Sequence, residues 1–234
     1  MEPSVALHFF SFIRARPERD PAEFRQWYLE SFGPRLEEKF PNMRGHCVNV
    51  CVAGPVELKN PNDSVDPGDR YDIVAETWFD SVPEFRDSVA GELSRELDAA
   101  ADVQNRYLVS DTVVFDRRQP TPPRIQGYKM MREILFYDDL SDAAAKRLWA
   151  HHAELALTVH VGVTHYVQHW VEQVLSPGTP TVRGISELFV PTKDDLVNHY
   201  YDSPRGRAEI THDTGHFIHR QLPRVYSHEH VLMA

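Results

Sequence analysis

Trp149-Ala150-His151-His152-Ala153-Glu154-Leu155 lies inside a run whose apolar residues recur at helical spacing. Leu148, His152, Leu155 and Val159 follow one another at steps of 4, 3 and 4, so one helical face carries all of them. His152 therefore points where its leucine neighbours point, toward a core or a pocket. It reads either as a core histidine satisfied by a hydrogen bond or as an imidazole held for chemistry.

Around this stretch the chain alternates strands and helices. Ser141 caps the helix, which spans 142–160. IQGYKMMREILF (125–136) reads as the strand before it, and VTHYVQHWVEQ (163–173) as the strand after. Ser176-Pro177-Gly178-Thr179-Pro180 makes a turn into VRGISELFVP (182–191), a third strand. Helical or irregular chain over 193–221 leads to a last strand, VYSHEHVLM (225–233).

The first half shows the same order. VALHFFSFIR (5–14) is a strand, and Asp20-Pro21-Ala22-Glu23 combines an Asp cap, Pro at the first helical position and Glu three residues after the cap. The helix carries Phe24, Trp27, Tyr28 and Phe32, and Gly33-Pro34 should kink or end it because Pro34 lacks an amide donor. RGHCVNVCVA (44–53) and YDIVAETWFD (71–80) are strands joined by a polar loop, 54–70, longer than ordinary connections. A second helical region runs from Ser81 to about Asn105 with a break at Gly91, and YLVSDTVVFD (107–116) closes the half.

The chain is therefore a βαββαβ unit repeated at an interval of roughly 115 residues. Ala75-Glu76-Thr77-Trp78-Phe79 matches Ser186-Glu187-Leu188-Phe189, His46-Cys47 matches His165-Tyr166, and Ser110-Asp111 matches Ser227-His228. Two domains are expected, 1–117 and 125–234, joined by the stiff connector from Arg117 to Pro123. Each would be a ferredoxin-like α+β unit whose sheet has helices on one face only, so two of them would pack sheet to sheet.

Phe24-Arg25-Gln26-Trp27-Tyr28 leading to Phe32-Gly33-Pro34, and Leu148-Trp149 leading to His152-Ala153, resemble the first helix of the EthD branch of the dimeric α+β barrel superfamily. There a tryptophan is usually followed by His-Gly/Ala-Pro-Leu. The second half fits as Trp149…His152-Ala153-Glu154-Leu155, with Glu154 where Pro is usual, and the first half has Phe32 where the histidine would stand. Val74-Ala75-Glu76-Thr77-Trp78-Phe79-Asp80 and the Asp213…Phe217 segment also resemble the family pattern. The resemblance implies a tandem, pseudo-dimeric α+β barrel. It also implies one of the family's activities, among them cofactor-free polyketide cyclases, decarboxylases, isomerases and monooxygenases. Phe32 implies that the first half is scaffold and the second half holds the live site.

Histidine usage shows the same asymmetry: of 13 histidines, only His8 and His46 precede the connector. Imidazole is the natural acid/base group near neutral pH. The expected catalytic set is His152, Tyr166 and Glu187, with Glu187 orienting a histidine; a solvated residue or salt bridge is the other reading of Glu187. Trp149, Tyr128, Phe189 and His165 are the expected substrate contacts, each equally at home in a core. On the strand 163–173, His165, Val167 and His169 share one face and Tyr166 and Gln168 the other, so only one set can face a pocket beside the helix. If helical, His212, His216 and His219 would share one face at metal-ligand spacing, but an exposed polar segment is the preferred reading and no metal is expected. His228 and His230 read as a solvated pair on a strand.

Formal net charge is -10 and no basic run occurs, which argues against nucleic acid and anionic membrane surfaces as partners. The opening MEPSVALHFFSF lacks the features of a signal peptide. Cys47 and Cys51 would sit on one strand face roughly 13 Å apart, too far for a disulfide, which suits a cytoplasmic setting. Neither a Gly-rich phosphate loop nor a G-x-S-x-G elbow occurs. The expected function is a cofactor-independent lyase, isomerase or cyclase acting on a hydrophobic, aromatic or polyketide-like molecule. A non-catalytic binding or accessory protein and a haem- or metal-dependent oxygenase are the alternatives. The assembly is expected to be a monomer with an internal pseudo-dimer, or a homodimer.

Overall fold

The computed structural model describes residues 6–55, 71–118, 127–222 and 224–233. Most of the long polar loop and most of the Pro-rich connector lie outside the described residues.

The first half opens with β1 (Leu7–Ala15), followed by α1 (Pro21–Trp27), a π-helical turn (Tyr28–Phe32) and α2 (Gly33–Lys39). Asp20 caps α1 by accepting from the amides of Ala22 and Glu23 at 2.8 and 3.0 Å. The expected break at Gly33-Pro34 is instead a widened turn. The Gly33 amide reaches back to the Tyr28 carbonyl, and the chain resumes as α2 with Pro34 in its first turn. The extra residue in the turn absorbs the donor that proline lacks. Then come β2 (Gly45–Val52), β3 (Ile73–Phe79), α3 (Val82–Ser88), α4 (Gly91–Ala100) and β4 (Ala101–Asp116). The expected helix to Asn105 is too long, because β4 begins at Ala101.

The second half holds β5 (Tyr128–Phe136), α5 (Asp142–Val159), β6 (His165–Val174), β7 (Gly184–Val190), α6 (Lys193–Asn198), α7 (Pro204–Thr214), β8 (Ile218–Gln221) and β9 (Val225–Met233). β8 was not expected within 193–221. It pairs with Ile134–Phe136 while β9 pairs with Lys129–Met131, so the two short strands share one edge of β5 and together form one stave.

The strands follow the order β7-β6-β4-β1-β3-β2-β9-β5, and a β5–β7 pairing closes them into an antiparallel barrel. The halves do not stack as two separate sheets. They join edge to edge at two seams, β2–β9 and β4–β6. Strand alternation then divides the side chains. Phe9, Ile13, Val48, Ala75 and Phe79 face outward against Phe24, Tyr28, Phe32 and Leu36 of the first helical layer. Met130, Tyr166, Leu188 and Val190 face outward against Ala153, Ala156, Val159, Leu196 and Ile210 of the second. Phe10, Phe12, Val74, Tyr107, Met131, Ile185 and Val225 fill the interior.

Strand register corrects the internal alignment by one residue. Glu76 pairs with Phe10 and Cys47, and Glu187 pairs with Met131 and Val167. Equating the two glutamates makes His46 the counterpart of Tyr166, not of His165, and Asn49 the counterpart of His169. By the same register His8 corresponds to Lys129, and Asp111 corresponds to Glu229 rather than to His228. A one-residue slip moves every side chain to the opposite face, and the similarity of short polar strings does not detect it. Among the described residues, no helix is long and apolar enough to cross a membrane.

Candidate functional site

Two buried polar constellations emerge, one on each side of the barrel wall. The outer one is built on α5. Its sheet-facing residues are mostly small, Ala145, Ala153 and Ala156, with Trp149 and His152 between them. Gly184 on β7 lets Trp149 approach: a Cβ there would meet the indole at 2.7 Å. His152 is 7% exposed and lies between α5 and the end of α7, where its Nδ1 is 2.7 Å from Asp213 Oδ2. A carboxylate can only accept, so Nδ1–H donates and Nε2 carries the lone pair of the neutral ring. Burial pushes the His152 pKa down, and this outweighs the opposing pull of Asp213, so the ring is neutral at pH 7. The Phe217 ring stands edge-on at 5.6 Å.

Tyr166 shares this outer layer. Gln168 donates through one amide nitrogen to the Trp149 carbonyl at 2.7 Å and to the Tyr166 phenol oxygen at 3.0 Å. Burial raises the Tyr166 pKa, so the phenol keeps its proton and remains a donor. Asp213 and Tyr200 both act on it electrostatically.

Glu187 is on the other side of the wall. It faces the barrel interior with Phe189 and His165, so the expected catalytic trio is split: His152 and Tyr166 are outside and Glu187 inside. Its expected role of orienting a histidine is directed at His165 Nε2 and His169 Nε2, each 3.5 Å away, while the carboxylate beside His152 is Asp213. Of the expected substrate contacts, Trp149 lies with His152. Tyr128 on β5 packs at the margin of the outer apolar cluster that holds Ala153 and Tyr166, its ring 5.1 Å from that of His228.

The interior constellation centres on Lys129, whose ammonium reaches Glu76 at 2.8 Å, Glu187 at 3.3 Å and Glu229. His8 and His169 both donate to Asp111, each from Nδ1 at 2.8 Å. An ammonium and two imidazoles thus face four carboxylates, of which Glu76, Glu187 and Glu229 are buried and Asp111 is partly exposed. Burial opposes charge on Lys129, but the three glutamates hold its pKa well above the ordinary value. Burial likewise opposes charge on His169, yet Asp111 and Glu187 raise it to about 9. Glu187 is held well below the usual carboxylate range because Lys129 and the two histidines outweigh its burial. Cys47 and Cys51 are free, and burial raises both thiols, which leaves them unreactive.

Sequence reasoning missed Lys129, Glu76, Asp111, Glu229 and His8 as one group. The available signal was a charged residue at alternate positions within otherwise apolar strands. The row that His212, His216 and His219 would make on one helix does not form, because α7 ends at Thr214. The His212 and His216 rings are 4.7 Å apart, while His219 lies beside Tyr137.

Comparison with known proteins places this geometry. An anthrone oxidase-like protein superposes with a TM-score of 0.63 at 11% identity, covering 99% of this chain and 92% of that one. A candidate monooxygenase from Fusobacterium nucleatum gives 0.55 at 12% identity, with 99% and 94% covered. A mutant chlorite dismutase from Candidatus Nitrospira defluvii gives 0.54 at 12% identity, with 96% and 91% covered. At such identities the likeness is one of fold alone. No curated protein matches the sequence. The family model described as EthD domain matches residues 137–221, a segment containing His152, Tyr166, Glu187 and Asp213. Residues 137–221 thus match the EthD domain model and lie within a closed α+β barrel.

Proposed function

We propose that the second half carries a cofactor-independent lyase, isomerase or cyclase site in which His152 moves a proton on a hydrophobic, aromatic or polyketide-like molecule. The observation that carries this reading is the 2.7 Å contact between His152 Nδ1 and Asp213 in an apolar layer of the EthD segment. Asp213 fixes the tautomer, Nε2 takes a proton from a carbon beside a carbonyl, and the Tyr166 O–H donates to the developing oxyanion. The imidazolium then returns the proton at a new position. Trp149 and Phe217 form apolar walls. Phe24, Tyr28 and Phe32 pack the corresponding layer of the first half, which supports its role as scaffold.

A second reading keeps the same base and changes the fate of the carbanion. The names of the structural neighbours, an anthrone oxidase-like protein and a candidate monooxygenase, favour dioxygen as the electron acceptor. Incubation with anthrones and related polycyclic ketones, followed by mass spectrometry and an oxygen electrode, distinguishes the two. Rearranged product without oxygen uptake supports the first reading, and uptake supports the second. Turnover that survives His152→Ala unchanged sinks both, and binding of these compounds without any turnover leaves the binding-protein alternative.

The halves 1–117 and 125–234 are also inferred to be tandem ferredoxin-like repeats. The strand order β4-β1-β3-β2 in one half and β9-β5-β7-β6 in the other supports this. Both seams close within a single chain, which supports an internal pseudo-dimer.

A further inference from the structure

We propose that His8, His169 and Asp111 form a binding site for a divalent transition-metal ion inside the barrel wall, separate from the His152 layer. One ligand atom from each lies within 4.8 Å of the other two. Asp111 straddles the pair, with Oδ2 on His8 Nδ1 and Oδ1 on His169 Nδ1, both at 2.8 Å. A cation between these atoms would need only a small retreat to reach metal–nitrogen and metal–oxygen distances of about 2.0–2.2 Å. Two imidazoles and one carboxylate suit a borderline ion such as Zn²⁺, Co²⁺ or Fe²⁺ and leave coordination positions open.

The surroundings are those of a ligand set. The three residues come from adjacent strands, β6, β4 and β1, so a rigid wall holds them. The His8 ring stacks on Trp78 at 4.2 Å, and the His169 ring stands edge-on to Phe10 at 4.8 Å. Behind each imidazole is a carboxylate, Glu76 Oε2 at 3.3 Å from His8 Nε2 and Glu187 Oε2 at 3.5 Å from His169 Nε2. Metal-bound histidines use such partners to fix their tautomer. Among the described residues neither Nε2 has a hydrogen-bond partner, although both atoms are buried. Asp111 is 34% exposed and gives an ion its way in.

The pseudo-symmetry of the barrel supplies the remaining argument. By strand register His8 occupies the place of Lys129, and Asp111 that of Glu229. In the Lys129 half an ammonium sits on the carboxylates, and the neighbouring cluster of Cys47, Glu76 and Glu229 is thereby already filled by a cation. In the His8 half the tethered cation is replaced by donors able to hold a free one. With neutral imidazoles, the Lys129 ammonium is the one cation set against Glu76, Glu187 and Glu229, with Asp111 beside the two histidines, an excess of negative charge within this group that a dication relieves.

The test is titration of chelator-treated protein with Co²⁺, followed by calorimetry, visible absorbance and tryptophan fluorescence. One equivalent should bind, persist in a His212→Ala/His216→Ala background, and weaken by at least about 100-fold in Asp111→Asn and in His169→Gln, more than loss of an outer partner costs. The ion should quench fluorescence, and Trp78→Phe should keep the stoichiometry while losing most of the quench. That readout decides the matter if the ligand variants do not fold. Absence of a bound equivalent, its loss in the His212/His216 background, or a quench indifferent to Trp78→Phe would overturn the proposal.

Discussion

His152 is the residue on which burial and a hydrogen bond compete most directly, and the competition has a measurable sign. Burial dominates and lowers its pKa below 6.5, with Asp213 pulling the other way. A base must be neutral, so kcat/KM should reach a plateau on the alkaline side and fall on the acid side with a midpoint below 6.5. Asp213→Asn removes the raising contribution. The midpoint should then move to still lower pH while the plateau rate drops, because the weaker base has also lost the partner that sets its tautomer. His152→Ala should cost roughly 10²-fold or more in rate. A pH–rate profile of the three proteins checks this; a midpoint that rises in Asp213→Asn contradicts it. The placement of His152 on a buried helix face was legible, since periodicity reports direction. Asp213 was visible only as part of a family-like segment, because a partner 61 residues away leaves no local spacing.

At the scale of elements, the strands carry information that local strings hide. Their existence was legible wherever aromatic and branched residues alternated with others. Their ends were less so: Ala101–Asn105 belongs to β4, and β8 was absorbed into a helical segment, because both are fixed by pairing with β1 and β5. Close packing sets one element-level prediction. Gly184→Ala on β7 places a methyl 2.7 Å from the Trp149 ring, so α5 must lift from the sheet. A loss of about 1–3 kcal/mol is expected, read as a lower denaturation midpoint at constant m-value. A second concerns β5. Lys129→Met leaves Glu76, Glu187 and Glu229 facing one another without their ammonium, and roughly 3–5 kcal/mol should be lost. Adding Glu229→Gln to Lys129→Met should recover part of that loss, since it removes one of the stranded charges. If the double variant is the less stable, the glutamates are held by something other than Lys129.

For the whole molecule, the interior was the least legible feature, since it exists only once two seams bring both halves together. Sequence similarity between the halves suggested a repeat, but the ionic cluster depends on cross-half contacts: Lys129 of the second half on Glu76 of the first, and His169 of the second on Asp111 of the first. Each half therefore holds an incomplete interior. Residues 1–118 alone would bury or expose Glu76 and Asp111 with no lysine to meet them, and would leave β2 and β4 as open edges beside an apolar face of Phe10, Phe12, Val74 and Tyr107. Expressed alone, this fragment should lack a cooperative unfolding transition or aggregate. Co-expressed with 119–234, it should form a one-to-one complex that unfolds cooperatively, because both seams and the Lys129 contacts are restored without a covalent link. Lys129→Met in the second fragment should weaken that complex far more than a substitution at the exposed Arg205, which pairs with its helix neighbour Glu209. Sedimentation of the mixed fragments gives the stoichiometry, and dilution gives the affinity. A first-half fragment that folds cooperatively by itself would mean that its carboxylates tolerate burial without Lys129, and the charge complementarity of the two halves would lose its structural role.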